Sequence, residues 1–137
     1  MLQQQDRDLI RWCGEHGTGV LSYGPLAFGL LTGAITRETA FDRGDFRADE
    51  ESDGLFGSGF ERSLAIVERL RPIAEGLGVS LAQLALAWNV DQPGVTVAIA
   101  GSRNPEHVRS NAAAGDVELD DATRSELDAV LSETAPG

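Results

Sequence analysis

Apolar residues recur at helical spacing in five stretches of the chain and form short continuous runs in two others. The helical stretches cover residues 2–16, 60–77, 81–89, 105–114 and 121–131. The continuous runs, residues 19–23 and 95–100, have the length and composition of strands that are buried on both faces of a parallel sheet. Because strands separated by helices pair in parallel through crossovers, the pattern predicts an α/β architecture.

Local start and stop signals bound the predicted helices. Gly17 follows the first helix as a C-cap, and Ser80 with Gln83 forms a capping box that opens the third. Asn104 has the side chain of an N-cap for the fourth helix, and Asp120 has that of an N-cap for the last. These signals predict where each helix begins or ends.

The chain between the first strand and the second helix has no sustained period. Residues 26–33 are apolar but interrupted by glycines, which predicts a packed loop with one helical turn. Residues 34–59 form a loop of a length that, in compact domains, is usually a functional lid or disordered. Within it, residues 49–53 are acidic, and we interpret them as a solvated loop because no His or Cys accompanies the carboxylates.

Helical spacing also assigns individual side chains to the core. These are Trp12, Cys13, Trp88, Leu127 and Val130. His16, at the end of the first helix, is predicted to be exposed. Cys13 is the only cysteine, which excludes an internal disulfide and a thiolate metal cluster.

Composition limits the partners of the chain. With 137 residues, 42% of them hydrophobic and 24% charged, it has the make-up of one globular unit. A formal net charge of −11 disfavours nucleic acid and anionic membrane surfaces. No window approaches the roughly 20 apolar residues of a membrane span, and no signal peptide is evident, so a cytoplasmic location is predicted.

The turn after the second strand has the chemistry of an anion site. Gly101 allows a ligand to approach the backbone, and Ser102 and Arg103 offer a hydroxyl and a planar guanidinium to phosphate oxygens. The N-terminus of the following helix adds free N–H groups. These features predict a phosphate-bearing ligand. The alternative is that Gly, Asn and Pro serve only the backbone of a strand-to-helix turn.

All 11 basic residues are arginine, so the chain contains no lysine. This excludes Schiff-base chemistry and a lysine that tunes a neighbouring acid.

Three ordered motifs resemble the aldo/keto reductase family. Residues 23–33, Tyr-Gly-Pro-Leu-Ala-Phe-Gly-Leu-Leu-Thr-Gly, are similar to its Tyr-Ser-Pro-Leu…Gly-Leu-Leu-Thr-Gly-Lys loop, and residues 99–107, Ile-Ala-Gly-Ser-Arg-Asn-Pro-Glu-His, to its Ile-Pro-Gly-x-Arg-x-Pro-Glu cofactor loop. Residues 80–88 resemble the helix before the last barrel strand. The resemblance implies a (β/α)8 TIM barrel that binds NADP(H) and reduces aldehydes or ketones by hydride transfer. Residues 1–137 would be a C-terminal segment of about two βα units plus a helix, incomplete as a barrel.

The resemblance also implies ten cofactor-binding residues. From the nicotinamide end to the adenine end they are Tyr23, Pro25, Leu26, Gly29, Arg47, Gly101, Ser102, Arg103, His107 and Asn111. Tyr23 would stack on the nicotinamide, the next three residues would line the pyrophosphate path, and Arg47 matches a basic position of a covering loop. Arg103 carries the preference for NADPH over NADH, since it would meet the 2′-phosphate, while His107 and Asn111 would lie at the adenine edge.

The chain departs from the family pattern at three positions and lacks the family's catalytic residues. Gly24 replaces a serine, Ala34 a lysine and Ser110 a glutamate. The catalytic Asp, Tyr, Lys and His of the family lie in the first half of the barrel, so no catalytic residue is assigned here. Three hypotheses follow. In the first, the chain joins a complementary N-terminal half to form a reductase that acts on a carbonyl substrate. In the second, it is a non-catalytic NADP(H)-binding module. In the third, it is an inactive fragment.

Overall fold

The computed structural model describes residues 4–48 and 55–132. Within these ranges it contains helices α1 (Gln4–Glu15), α2 (Phe60–Gly76), α3 (Leu81–Asp91), α4 (Pro105–Ala113) and α5 (Asp121–Ser132), and strands β1 (Val20–Tyr23) and β2 (Val95–Ile99). Each predicted element is confirmed, with ends that differ by at most two residues where they are described. Residues 2 and 3 of the first predicted helix and the acidic stretch 49–53 lie outside the described residues.

β1 and β2 pair in parallel, as predicted for strands joined by a helical crossover. The register runs from Val20 opposite Val95 to Tyr23 opposite Ile99, with an irregularity after Val20. There the Val20 amide donates to the Thr96 hydroxyl oxygen at 3.0 Å. Parallel pairing places the loops that follow both strands at the same end of the sheet.

The core lies where α2, α3 and α5 pack together. Leu84 and Leu127 are almost completely buried, as is Val67 of α2. Trp88 and Val130 are buried too, so three of the core assignments made from helical spacing are confirmed. Burial of this kind stabilises a fold by about 25 cal/mol for each Å² of apolar surface.

The prediction that both strand faces are buried is wrong for the described part of the chain. Leu21 and Tyr23 of β1 are 62% and 81% exposed, and Val97 and Ile99 of β2 are also exposed. Val20 and Ser22 of β1 and Val95 and Ala98 of β2 are half-buried on the side of the helices, while Thr96 is exposed. The helices therefore cover one face of the sheet and leave the other, more apolar face open.

The core assignments on α1 are also wrong. Trp12 is 52% exposed and stacks on the ring of His16, with 4.1 Å between centroids. His16 is exposed, as predicted, and its Nδ1 donates to the Trp12 carbonyl oxygen at 2.8 Å. Cys13 is half-buried. A helical spacing shows which side chains share a face but not whether another element covers that face.

The predicted caps are present. The Ser80 hydroxyl accepts from the Gln83 amide at 3.2 Å while the Gln83 side chain accepts from the Ser80 amide at 3.0 Å. Asn104 accepts from the Glu106 amide at 2.9 Å. Asp120 accepts from the Thr123 amide at 2.8 Å. The predicted helix starts therefore rest on side-chain hydrogen bonds.

In the described part of the long loop, residues 34–48 and 55–59, four apolar side chains pack inward while most residues of 34–48 are exposed. Ile35 is buried, and Phe41, Leu55 and Phe56 pack against the core. A short 3-10 helix, Phe46–Ala48, returns the chain toward the residues that follow β1.

α2 and α3 meet at an angle of 90°. Among the helices of the described residues, none is by itself long and apolar enough to cross a membrane. The two helices meet both criteria only when they are taken together as this bent pair.

Arg124 of α5 ties that helix to the end of α3. Its Nε and Nη2 donate to the two carboxylate oxygens of Asp91 at 2.8 and 2.9 Å, and its Nη1 donates to Asp121 at 3.0 Å. The Arg124 guanidinium lowers the pKa of Asp91 below its usual range. Because the folded-state pKa is lowered, the stabilisation is fully present above the usual pKa and is lost as the pH falls through the folded-state value.

We therefore expect Asp91→Asn to lower the free energy of unfolding by about 1 kcal/mol at pH 7. The difference from the unmodified chain should shrink as the pH falls from the usual aspartate pKa of about 4 toward the lower folded-state pKa of Asp91. Urea unfolding from pH 7 to pH 2 measures this difference. Asp121→Asn removes the exposed partner of the same arginine and should have a smaller effect. Equal losses at pH 7 and at pH 2 would contradict the expectation.

Candidate functional site

An open groove of about 570 Å³ lies at the carboxyl ends of β1 and β2. Its walls come from the turn after β1, the start of α3, the turn after β2 and the first two turns of α4. Eight of the ten residues predicted to bind a cofactor line it: Tyr23, Pro25, Leu26, Gly29, Gly101, Ser102, His107 and Asn111. Four of these residues lie at or after the end of β1 and four lie after β2, at least 70 positions later in the chain. The parallel pairing of the strands brings both groups to one site.

Tyr23 stands at the end of β1 with its ring open to solvent. The side chain is 81% exposed, and its ring meets Phe28 edge to face at 6.4 Å between centroids. A tyrosine ring exposed at the mouth of a groove offers a flat apolar face to a planar ligand.

The turn after β1 has an unusual backbone. Ala27, Phe28 and Gly29 all have positive φ, at 48°, 55° and 99°. The first two are strained because a Cβ atom crowds the backbone in this region. The Thr32 hydroxyl donates to the Gly29 carbonyl oxygen at 2.7 Å. The sequence predicted one helical turn here, and the structure has a 3-10 helix, Ala27–Thr32, interrupted by these left-handed residues.

The turn after β2 is exposed from Gly101 to the start of α4. The Ser102 hydroxyl oxygen accepts from the Asn104 amide at 3.1 Å and keeps its own proton to donate. Arg103 is exposed on this turn and lies outside the groove lining. It forms no hydrogen bond or ion pair within residues 4–48 and 55–132. Its guanidinium is therefore available to an anion at the groove edge.

The start of α3 and the first turns of α4 form the other end of the groove. Gln83 holds them together, since its Nε2 donates to the Ser110 carbonyl oxygen at 3.2 Å. Ser110 and Asn111 are half-buried, while His107 is exposed. Of the three positions that depart from the family pattern, Gly24 and Ser110 line the groove and Ala34 does not.

Arg47 does not line the groove but contacts its wall from behind. Its Nη1 donates to the Phe28 carbonyl oxygen at 3.2 Å, and its guanidinium lies over the Phe41 ring. Asp45 accepts from its Nε and Nη2, and these bonds lower the pKa of Asp45 to about 2. Sequence reasoning missed Asp45 and the aromatic contacts, because the loop has no periodic pattern.

Sequence reasoning also missed the role of Phe28, Phe46 and Phe56. The rings of Phe28 and Phe46 meet edge to face at 4.9 Å, and Phe46 meets Phe56 at 6.5 Å. Through Phe28 this row of rings reaches Tyr23. The only signal in the sequence was the presence of all five phenylalanines between residues 28 and 60.

A smaller cavity of about 230 Å³ lies behind the stretch from Ser22 to Pro25. Leu84, Trp88 and the buried amide of Asn89 line it, and the Ser22 hydroxyl donates to the Asn89 side chain at 2.5 Å. This hydrogen bond attaches the end of β1 to α3. Within the described residues, no three His, Cys, Asp or Glu side chains come together as a metal site.

The chain is similar in sequence and in fold to known proteins. The profile of the aldo/keto reductase family matches residues 1–132. The fission yeast Schizosaccharomyces pombe protein named aldo-keto reductase yakc [NADP(+)] is 29% identical over 92% of the chain, and the Escherichia coli NADH-specific methylglyoxal reductase is 32% identical over 85%. A solved structure, glycerol dehydrogenase AKR11B4 from Gluconobacter oxydans, superimposes with a TM-score of 0.85 at 29% identity and covers 98% of the chain.

The chain spans 36% and 35% of the length of these two curated relatives and 41% of the solved structure. The structural neighbours are (β/α)8 barrels, and the two parallel strands with their helices match part of such a barrel. The family profile and the sequence relatives indicate the same family, and the superimposed structure has the matching fold. The chain belongs to the aldo/keto reductase family.

Proposed function

We propose that residues 1–137 form the C-terminal, cofactor-binding part of an NADP(H)-dependent aldo/keto reductase. In this proposal β1 and β2 are the last two strands of a (β/α)8 barrel, whose phosphate site is usually built by the loops after strands 7 and 8. The observation that carries the proposal is the groove. It gathers eight of the ten candidate residues at the carboxyl ends of two parallel strands. Arg103, which has no hydrogen bond or ion pair within residues 4–48 and 55–132, follows Ser102 of this lining.

The volume and the lining of the groove support a dinucleotide as its ligand. Its volume of about 570 Å³ is in the usual range for a small-molecule site. A Cβ atom at Gly101 would meet no atom within 4 Å among the described residues beyond its chain neighbours, so the turn is open at this residue. The open Tyr23 ring lies in one wall, and the free guanidinium lies by the turn after β2.

Each side chain then has one task. Tyr23 stacks on the nicotinamide and exposes one face of it, and Pro25, Leu26 and Gly29 line the pyrophosphate path. Gly101, Ser102 and Arg103 hold the phosphate of the adenosine, since a planar guanidinium binds a phosphate through two hydrogen bonds. His107 and Asn111 border the adenine. A bound nicotinamide dinucleotide supplies the hydride for carbonyl reduction.

The proton donor for a carbonyl substrate is not assigned to this chain. The family's acid is a tyrosine that depends on a lysine, and the chain has no lysine and only Tyr23. Leu21, Val97 and Ile99 form an exposed apolar face on the sheet. A complementary N-terminal half that adds strands to this sheet would cover that face and bring the catalytic residues. Nucleic acid and membranes are not proposed as partners, and a cytoplasmic location stays a prediction.

A second candidate function uses the same groove. As a non-catalytic module, the chain would bind NADP(H) through the same groove without reducing a carbonyl. A third possibility, an inactive fragment, predicts neither binding nor turnover.

One experiment separates these three functions. The chain is mixed with the N-terminal barrel half of a relative, NADPH and an aldehyde, and the nicotinamide absorbance is followed. Turnover supports the reductase, and binding without turnover supports the module. Absence of both, with circular dichroism that shows helices without fixed tertiary packing, supports the inactive fragment.

A chimera tests the cofactor. Residues 1–132 replace the aligned third of the E. coli NADH-specific methylglyoxal reductase. If the groove recognises the 2′-phosphate, the chimera should prefer NADPH to NADH. Retained preference for NADH would refute the assignment of NADP(H).

A further inference from the structure

We infer that Asp45 is a positioning residue for the groove: it fixes the Arg47 guanidinium, which holds the strained turn at Phe28 against the groove. This inference rests on the proposed function for its binding assay. It concerns Asp45, a residue that lies outside the groove and touches no proposed ligand.

The carboxylate of Asp45 holds Arg47 through several bonds. It accepts from Nε at 3.0 and 3.2 Å, from Nη2 at 2.6 Å and from the Arg47 amide at 3.0 Å. The Asp45 and Arg47 side chains are 20% and 30% exposed, whereas those of Arg37 and Glu61 are 65% and 66% exposed. The hydrogen bonds from Arg47 lower the pKa of Asp45 to about 2, so its carboxylate is ionised at neutral pH. The geometry is that of a fixed structural pair.

The other edge of Arg47 and its neighbour Phe46 hold Phe28 at two points. Nη1 of Arg47 donates to the Phe28 carbonyl oxygen at 3.2 Å. The Phe46 ring contacts the Phe28 ring at 4.9 Å between centroids. The Phe41 ring lies 4.7 Å from the guanidinium carbon and supports Arg47 from one side.

Phe28 needs such support because its backbone is strained. Ala27 and Phe28 both have positive φ, which residues with a Cβ atom rarely adopt, and such strain persists only where the surroundings hold it. Phe28 lines the groove, and its ring contacts Tyr23. A series of contacts thus leads from Asp45 through Arg47 and Phe28 to Tyr23.

A simpler role for Arg47 predicts the opposite effect of removing Asp45 on cofactor binding. If Arg47 attracted the anionic dinucleotide by charge alone, Asp45 would weaken binding by cancelling that charge. Removal of Asp45 would then strengthen binding, and lysine would replace Arg47 with little loss. If Asp45 positions the turn, its removal weakens binding although it removes a negative charge. Lysine at position 47 then weakens binding too, because it lacks the planar guanidinium that donates to Asp45 and Phe28 together.

The binding test uses the chimera described above, with NADPH and NADH as the probes. We expect Asp45→Ala and Arg47→Lys each to raise the Kd of the preferred cofactor about tenfold, as loss of preorganisation does. Glu61→Ala is the matched control, since it removes a carboxylate paired with Arg37 and should leave the Kd unchanged. A tighter or unchanged Kd in Asp45→Ala would overturn the inference.

Hydrogen exchange of the amides in residues 24–33 gives a readout that needs no cofactor. Exchange should be faster in Asp45→Ala and Arg47→Lys than in the parent chimera and in Glu61→Ala, because the turn loses its support. If the parent binds neither dinucleotide, the proposed function fails, and exchange still decides whether Asp45 holds the turn. Equal exchange rates in all four proteins would overturn the inference.

Discussion

Replacement of Arg103 by alanine in the chimera is expected to weaken NADPH binding by about 10- to 100-fold and to leave NADH binding nearly unchanged. Hydrogen bonds to a charged group contribute about 1.5–3 kcal/mol, and only NADPH carries the 2′-phosphate that Arg103 would meet. Arg103 forms no hydrogen bond or ion pair within the part of the chain that is described, so its loss leaves no protein group there without a partner. Calorimetric titration with both cofactors measures the difference.

Two variants separate this contact from the general effect of charge. Arg109→Ala removes the same charge from the exposed side of α4 and should change both affinities only slightly. Arg103→Lys keeps the charge but loses the planar fork, so an intermediate loss for NADPH is expected. Equal losses for NADPH and NADH, or no loss for either, would contradict a 2′-phosphate contact.

The largest loss of stability is expected from Gly94→Ala, at about 2–4 kcal/mol. Gly94 has a φ of 97°, which alanine rarely adopts. A Cβ atom there would overlap the carbonyl group of Ile10, because α1 packs directly against the turn before β2. The contacting atoms belong to the backbone of α1, which cannot move aside for a Cβ atom as the end of a flexible side chain could. The variant must therefore shift α1 or rebuild the turn.

Urea unfolding of the chain measures this loss. Gly115→Ala is the matched control, since a Cβ atom at Gly115 would meet nothing and its φ is not positive. The control should unfold at nearly the same urea concentration as the parent. If both variants unfold at the same urea concentration, the close contact between Gly94 and α1 is refuted.

Local chemistry explains why the elements and their ends were predictable. The Ser80–Gln83 capping box, the Asn104 cap and the Asp120 cap each act within three residues, and each is present. The parallel pairing of β1 and β2 was predictable too, because a helical crossover allows few other arrangements. That pairing brought the two glycine-containing turns to one groove.

Exposure and loop contacts were not predictable by the same means. Trp12 and Leu21 have the spacing of buried residues, but spacing does not reveal whether another element covers them. The hydrogen bond from Arg47 to the Phe28 carbonyl oxygen depends on a non-periodic loop folding back over 19 residues. The left-handed backbone of Ala27 and Phe28 was not predictable either, because glycine and asparagine are the residues that usually adopt this conformation.

The two-stranded sheet favours association of the chain in solution when its net charge is small. Within the described residues the sheet has two strands, so each strand has one edge free to pair with a second molecule. At neutral pH the charge of −11 makes separate molecules repel one another. That repulsion vanishes near the isoelectric point of about 4.4, where edge-to-edge association and precipitation are favoured. Purification therefore belongs well above that pH and at low salt.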